Sequence, residues 1–282
     1  MPDRIIALID DSIYAQSVCE HAAWAAQLCG WPVELIHVLG RREALRKSGF
    51  GRRLAPRDAL LEQLDALDSE RLRVATGHAT VMLEDARAQT ASYGAGEVST
   101  RLVQGDLVET VTAPEARSAM IVIGKRGEAA DFARGHLGSN LERVARASAC
   151  PVLVASRAFR PIRRVLLAFD GGVSSRRAAD QLAEIPLLSR CTIELATVGD
   201  RSAGLQAAVE EAILRLRAAG LRAEEIALDG EPEEALLARI EAAAHDLVVM
   251  GAYGHSRIRN LIIGSTTTQM LIGARLPVLL FR

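Results

Sequence analysis

The sequence predicts an α/β protein built from two tandem copies of one parallel-sheet module. Three observations carry this. Short apolar, β-branched runs alternate with helical patterns along the whole chain, the mark of βαβ units. The alternation occurs twice with matching residues: Ile5-Ile-Ala-Leu-Ile9 before Asp10-Asp11-Ser12 matches Val165-Leu-Leu-Ala-Phe169 before Asp170-Gly171-Gly172. Val33-Glu-Leu-Ile-His-Val38 likewise matches Ile193-Glu-Leu-Ala-Thr-Val198 at the same offset of 160 residues. Each copy then runs into a glycine-punctuated loop and ends on an apolar run that follows a proline.

In order along the first copy, β-rich runs predict strands near 4–9, 33–38, 97–103, 119–123 and 151–155. Residues 58–92 place apolar side chains at three- and four-residue spacing and predict a long amphipathic helix, which needs a surface for its stripe, most simply its own sheet. In the second copy strands fall near 164–169, 192–198, 222–228, 246–250 and 277–281, with helices near 174–184, 202–219, 232–244 and 264–274. The offset between copies drops from 160 (Glu34 to Glu194) to 127 (Gly124 to Gly251), so the first copy carries 33 extra residues between 39 and 123. Arg157-Ala-Phe-Arg-Pro-Ile-Arg-Arg164 is a short linker, which sets the modules at 1–156 and 163–282.

At 282 residues the chain accommodates two domains with a core each. A net charge of −1 argues against global nucleic-acid binding, and no apolar run approaches the ~18 residues of a membrane span. Met1-Pro-Asp-Arg-Ile-Ile leads straight into a strand, leaving no room for a signal peptide; a cytoplasmic protein is expected. Cys19, Cys29, Cys150 and Cys191 lack C-x-x-C spacing and read as small core residues rather than disulfides or zinc ligands.

The chemistry concentrates near the C-terminus. Asp246-Leu-Val-Val-Met250 leads into Gly251-Ala-Tyr-Gly254, then nine residues, then Gly264-Ser265-Thr266. Glycines lack Cβ and let backbone bend and approach a ligand closely. A helix opening at Gly264 offers free N–H groups and a positive dipole end to an anion, and Ser265 and Thr266 add hydroxyls. The loop is not a Walker A motif, which needs Gly-Lys-[Ser/Thr]. On glycines alone, a plain strand-to-helix turn fits as well as a ligand site.

Residues Asp246 to Arg282, down to the closing Leu276-Pro277-Val278-Leu279-Leu280, resemble the nucleotide-binding signature of the universal stress protein family. A poorer copy lies at Gly124-Lys-Arg-Gly127, ten residues, Gly138-Ser139-Asn140, closing on Cys150-Pro151-Val152-Leu153-Val154. The resemblance spans nearly the whole chain. It implies two tandem doubly wound five-stranded parallel sheets, order 3-2-1-4-5, flanked by helices and paired through their last strands as an intramolecular pseudo-dimer or in a homodimer. In such a sheet ligands bind where the strand order reverses, at the carboxyl ends of strands 1 and 4. The family's adenine contacts map to Asp170 and Val198, and its ribose and phosphate contacts to Gly251, Gly254, Gly264, Ser265 and Thr266. On its own, Asp170 equally suits a turn or N-cap carboxylate. His255 and Arg257 could touch phosphate, and Tyr253 is an ordinary loop aromatic as readily as a contact.

The first copy departs from the pattern through its ten-residue gap and through Lys125 and Arg126 between the glycines. Asp10, Gly124, Gly127, Gly138 and Ser139 form a second site expected to be weaker or lost. Its insertion holds Arg41, Arg42, Arg46, Lys47, Arg52, Arg53 and Arg57, a basic run that reads as a solvated segment, or as one folding over a phosphate or an acidic partner.

The expectation is a cytosolic stress-response regulator that binds ATP or a related adenine nucleotide, with Mg2+ as a candidate companion, and acts with partners the sequence does not name. No triad, paired carboxylates or metal cluster stands out, so it is not read as an enzyme beyond slow ATP hydrolysis. The alternative is a nucleotide-independent dimerising scaffold acting through protein partners; an adenylyl- or phosphoryl-transfer enzyme is a weaker third.

Overall fold

The computed structural model describes residues 4–40, 58–113, 118–127, 137–199, 202–252 and 264–282. The basic run from Arg41 to Arg57, and Tyr253, Gly254, His255 and Arg257, lie outside the described residues. The first half supplies β1 (Arg4–Leu8), α1 (Ala15–Cys29), β2 (Val33–Gly40), α2 (Asp58–Ser92), β3 (Val98–Gly105), α3 (Leu107–Thr112), β4 (Ser118–Gly124), α4 (Ser139–Ala147) and β5 (Val152–Ala155). The second supplies β6 (Arg164–Ala168), α5 (Val173–Glu184), β7 (Thr192–Val198), α6 (Ala203–Ala218), β8 (Arg222–Leu228), α7 (Pro232–Ala243), β9 (Leu247–Gly251), α8 (Ser265–Gly273) and β10 (Val278–Phe281).

The strands form one sheet in the order β3-β2-β1-β4-β5-β10-β9-β6-β7-β8. Each half has the expected 3-2-1-4-5 order. All neighbours run parallel except β5 and β10, which pair antiparallel with Val278 opposite Val154 and Leu280 opposite Val152. Each five-stranded sheet thereby loses its β5-type edge, which would otherwise expose a row of unpaired backbone groups. The seam is dry: Val152, Leu153, Val154, Val278, Leu279 and Leu280 are each at most 2% exposed.

The central strands are apolar on both faces, as strands covered twice must be. Along β1, Ile5 and Ala7 enter one core layer with α1, α2, α5 and α6, while Ile6 and Leu8 enter the other with α3, α4, α7 and α8. The outermost strands β3 and β8 instead mix polar and apolar residues, as edges do. The four cysteines are unpaired, and burial pushes the Cys29 and Cys191 thiols up to about 11.

Register narrows the place of the insertion. Val33 faces Val98 in the first half and Ile193 faces Ala223 in the second, so the offset has already fallen from 160 to 125 by the third strand. The extra residues therefore lie in the β2-to-β3 crossover, where α2 has 35 residues and its counterpart α6 has 16. Helix α2 packs its buried stripe of Ala79, Leu83, Ala86 and Thr90 over β2, β3 and α1.

Candidate functional site

The strand order reverses between β1 and β4, and again between β6 and β9. At both places the same local construction recurs. Beyond β1, the Asp10 carboxylate accepts the Ser12 N–H at 3.2 Å; beyond β6, Asp170 accepts the Gly172 N–H at 2.9 Å. These are turns in which an Asp side chain satisfies backbone two residues on. Asp170 also takes the Ser175 hydroxyl at 2.6 Å, tying the turn to the first turn of α5. Gly171 bridges the two with φ +70°, a left-handed conformation that favours glycine; a Cβ there would meet only the movable end of the Leu205 side chain.

The glycine that ends the fourth strand serves close packing. A Cβ on Gly251 would stand 2.7 Å from Ser174 Cβ and 3.2 Å from the Ser175 nitrogen, at the start of α5. A Cβ on Gly124 would stand 2.7 Å from Tyr14 Cβ, the counterpart of Ser174. Neither glycine has a left-handed φ, so the bend expected at Gly251 is replaced by a close helix-to-strand approach.

Both loops close identically. The Gly264 N–H donates to Ala252 O at 3.2 Å, and the Gly138 N–H to Lys125 O at 3.3 Å. The closing bond is the same in both, although the first loop is one residue longer in sequence. Past it, α8 and α4 begin at Gly264 and Gly138 with no side-chain cap, and their first intrahelical bonds come from Thr268 and Glu142. The amides before those donors are the unsatisfied N–H groups that make a helix start attractive to anions. Thr267, which the sequence reading passed over, is buried and donates its hydroxyl to Gly251 O at 3.1 Å, fixing α8 to the end of β9. Ser265 is exposed, and Thr266 and Val198 are half-buried, Val198 packing on the core layer of Met250 and Ala252.

In the first half these positions line one cleft. Asp10, Val38, Gly124, Gly127, Gly138 and Asn140 surround it, joined by His37 and Arg126. The first five are the counterparts of Asp170, Val198, Gly251, Gly254 and Gly264, and Asn140 is that of Thr266. Ser139 is exposed at the helix start and outside the lining. Gly127 sits against Asp10, whose Oδ2 would be 3.2 Å from an added Cβ. His37 donates from Nδ1 to Ile9 O at 2.8 Å, since a carbonyl only accepts; Nε2 is then the acceptor of the neutral ring. Arg126 brings a cation into the cleft, whereas Lys125 turns away to the other half. Among the described residues, no three His, Cys, Asp or Glu side chains gather as a metal site, and no helix is long and apolar enough to cross a membrane.

The model of the universal stress protein family matches residues 1–156 and again 161–282. This chain belongs to the universal stress protein family. It is 35% identical to Universal stress protein Slr1230 of Synechocystis sp. (strain ATCC 27184 / PCC 6803 / Kazusa), covering 99% of each chain. Among solved structures, a universal stress protein from Archaeoglobus fulgidus DSM 4304 aligns at TM-score 0.73 with 19% identity, covering 99% of this chain and 98% of its own. Protein PA1789 from Pseudomonas aeruginosa PAO1 aligns at TM-score 0.61 with 17% identity, covering 99% of this chain and 92% of its own. At those identities the two structures speak for the fold alone, and they share it over the full length of this tandem universal stress protein.

Proposed function

We propose that this universal stress protein is a regulatory binder of an adenine nucleotide, ATP or a relative, held where the sheet reverses in each module. The observation that carries the reading is the repeated construction. A turn carboxylate, a strand-end glycine packed on the next helix, and an uncapped helix start meet at the carboxyl ends of strands 1 and 4 in both halves. The second module is the principal site, since Ser265 and Thr266 add hydroxyls to the amides of α8, with Asp170 and Val198 beside the base. The first module offers Asp10, Val38, the amides after Gly138 and, in place of a second hydroxyl, the Arg126 guanidinium. A guanidinium matches phosphate oxygens in charge and geometry.

The reading assigns binding rather than turnover. Among the described residues lining the first cleft, Asp10 is the one carboxylate, and it is committed to its turn. Nothing among the described residues speaks for Mg2+, and that ion is not part of the proposal. A cytosolic location fits the binding of a soluble nucleotide. The test is nucleotide release from purified, denatured protein, read by absorbance ratio and mass spectrometry. Gly264→Val should remove the ligand of the second module, and Asp10→Ala with Arg126→Ala that of the first. A wild-type chain that releases no adenine nucleotide and takes up none in calorimetry overturns the reading.

A further inference from the structure

A second cavity, of about 680 Å3, lies away from both reversal points. Its walls come from both halves: Trp24 of α1 and Tyr93 beyond α2 on one side, Phe159 of the linker, and Arg163, Arg190 and Arg222 at the amino ends of β6, β7 and β8. That volume falls within the ~300–1,000 Å3 of ordinary small-molecule sites. The nucleotide clefts open at the carboxyl ends of strands, so this cavity belongs to neither.

Its chemistry is specific. Aromatic residues are 4% of the chain, yet three of them share this wall. Two are braced. The Phe159 ring meets the fully buried His21 edge-on, centroids 5.0 Å apart at 88°. Tyr93 is held through its main-chain oxygen by Gln27 Nε2 and through its hydroxyl by Gln16 Nε2 at 3.4 Å. The arginines are exposed, and none of the three has a carboxylate partner among the described residues, whereas Arg101, Arg143, Arg215 and Arg239 all do. Arg164 adds a fourth positive side chain to the lining, and Glu20 is its one carboxylate. The main-chain N–H groups of Arg163 and Arg164 donate to the nearby Asp246 carboxylate.

We propose that this cavity between the halves binds a small aromatic anion, its ring against Trp24, Tyr93 and Phe159 and its phosphate or carboxylate on the arginine rim. Braced aromatic faces receive a planar ring with little loss of side-chain freedom, and guanidinium groups bind oxyanions bidentately. An adenine nucleotide is itself an aromatic anion, so the test must separate the cavity from the nucleotide clefts.

The probe is 1-naphthyl phosphate, titrated into the full chain by calorimetry, with neutral 1-naphthol, inorganic phosphate and AMP in parallel. The proposal expects saturable binding of the naphthyl ester, weakened at least tenfold in Arg190→Ala/Arg222→Ala and in Trp24→Ala, and unchanged in Gly264→Val and in Asp10→Ala/Arg126→Ala. Arg190 and Arg222 are exposed, so their variants should keep the wild-type melting curve. Absence of saturable binding overturns the proposal. So does equal affinity for 1-naphthol, which would make the cavity a greasy slot. Loss of binding in the cleft variants but not in the arginine variants would place the ester in the nucleotide clefts and overturn it too.

Discussion

Lys125, in the glycine loop of the first module, donates its ammonium to the main-chain oxygen of Ala274, the residue that closes α8 of the second. The reverse reach also exists: Arg282 Nη1, at the chain's end, donates at 2.8 Å to Arg146 O in the last turn of α4. Each helix that starts at a glycine loop thus ends on a cation from the other half. Cations there satisfy orphan carbonyls and oppose the negative end of the helix dipole.

The Lys125 contact predicts a pH dependence. Burial, with Arg126 adding repulsion, brings its ammonium down from 10.5 to about 8. The folded value lies below the unfolded one, so protonation opposes folding. The cost is full below pH 8 and relieved as pH rises from 8 to 10.5. Chemical denaturation of wild type and Lys125→Met at pH 7 and pH 10 should show the difference moving in favour of wild type at the higher pH. A pH-independent difference would show that the side chain is not desolvated at the seam.

Gly251 and Gly264 should fail in different ways. A side chain at Gly251 meets backbone and Cβ of Ser174, which cannot swing aside, so Gly251→Val should cost about 2–3 kcal/mol as an overpacking change. Gly264 has φ −55° and ψ 147°, a conformation open to any residue. Gly264→Val removes a favoured N-cap residue and should cost about 1 kcal/mol, less than the Gly251 change, yet lose nucleotide. Equal denaturation midpoints for both variants would refute the packing account of Gly251.

Much of this was legible in the residues. The 3.6- and 2-residue periods placed α2 at 58–92 and β6 at 164–169, against an observed end at Ala168, because long apolar stripes report burial directly. The glycine loops lie at the carboxyl ends of β4 and β9, where the strand order reverses. What periodicity cannot report is what stands opposite a residue. Gly251 reads as a place for the backbone to bend and approach a ligand until Ser174 is seen against it. Lys125 and Arg126 are chemically alike neighbours, yet the turn sends one to the seam and the other into the cleft. Thr267 looked like one more polar helix residue; only the fold puts its hydroxyl on Gly251. The insertion was bracketed to 39–123 because only strand register, Val33 on Val98, fixes where the two copies come back into step.

Thr267 offers an isosteric test. Leu141 holds the equivalent position in α4 and is 1% exposed, so the site accepts an apolar side chain. Thr267→Val keeps the shape and removes only the hydrogen bond to Gly251 O, and should cost about 1 kcal/mol. A neutral result in urea denaturation would mean that packing alone holds α8 to β9.

The Glu194–Arg239 ion pair predicts an acid-dependent loss of stability in the second module. Arg239 grips both its oxygens at 2.6 Å, from α7 onto β7, and the hydrogen bond to that guanidinium holds the carboxyl below its ordinary 4.5. A depressed carboxyl contributes stability that is present above about pH 4.5 and lost as pH falls through the folded value. At pH 7, Glu194→Gln should therefore cost about 1.5–3 kcal/mol, the range for hydrogen bonds to charged groups. The cost should shrink toward zero under more acidic conditions, where wild type has lost the same charge. His245, buried 3.8 Å from Glu194 and pushed down by that burial, adds an acid penalty of its own in both proteins. The Glu194 charge itself holds His245 up, so the difference between the two unfolding free energies at each pH reports the coupled Glu194, Arg239 and His245 cluster. A cost that persists undiminished at low pH would assign the contact to shape and not to charge.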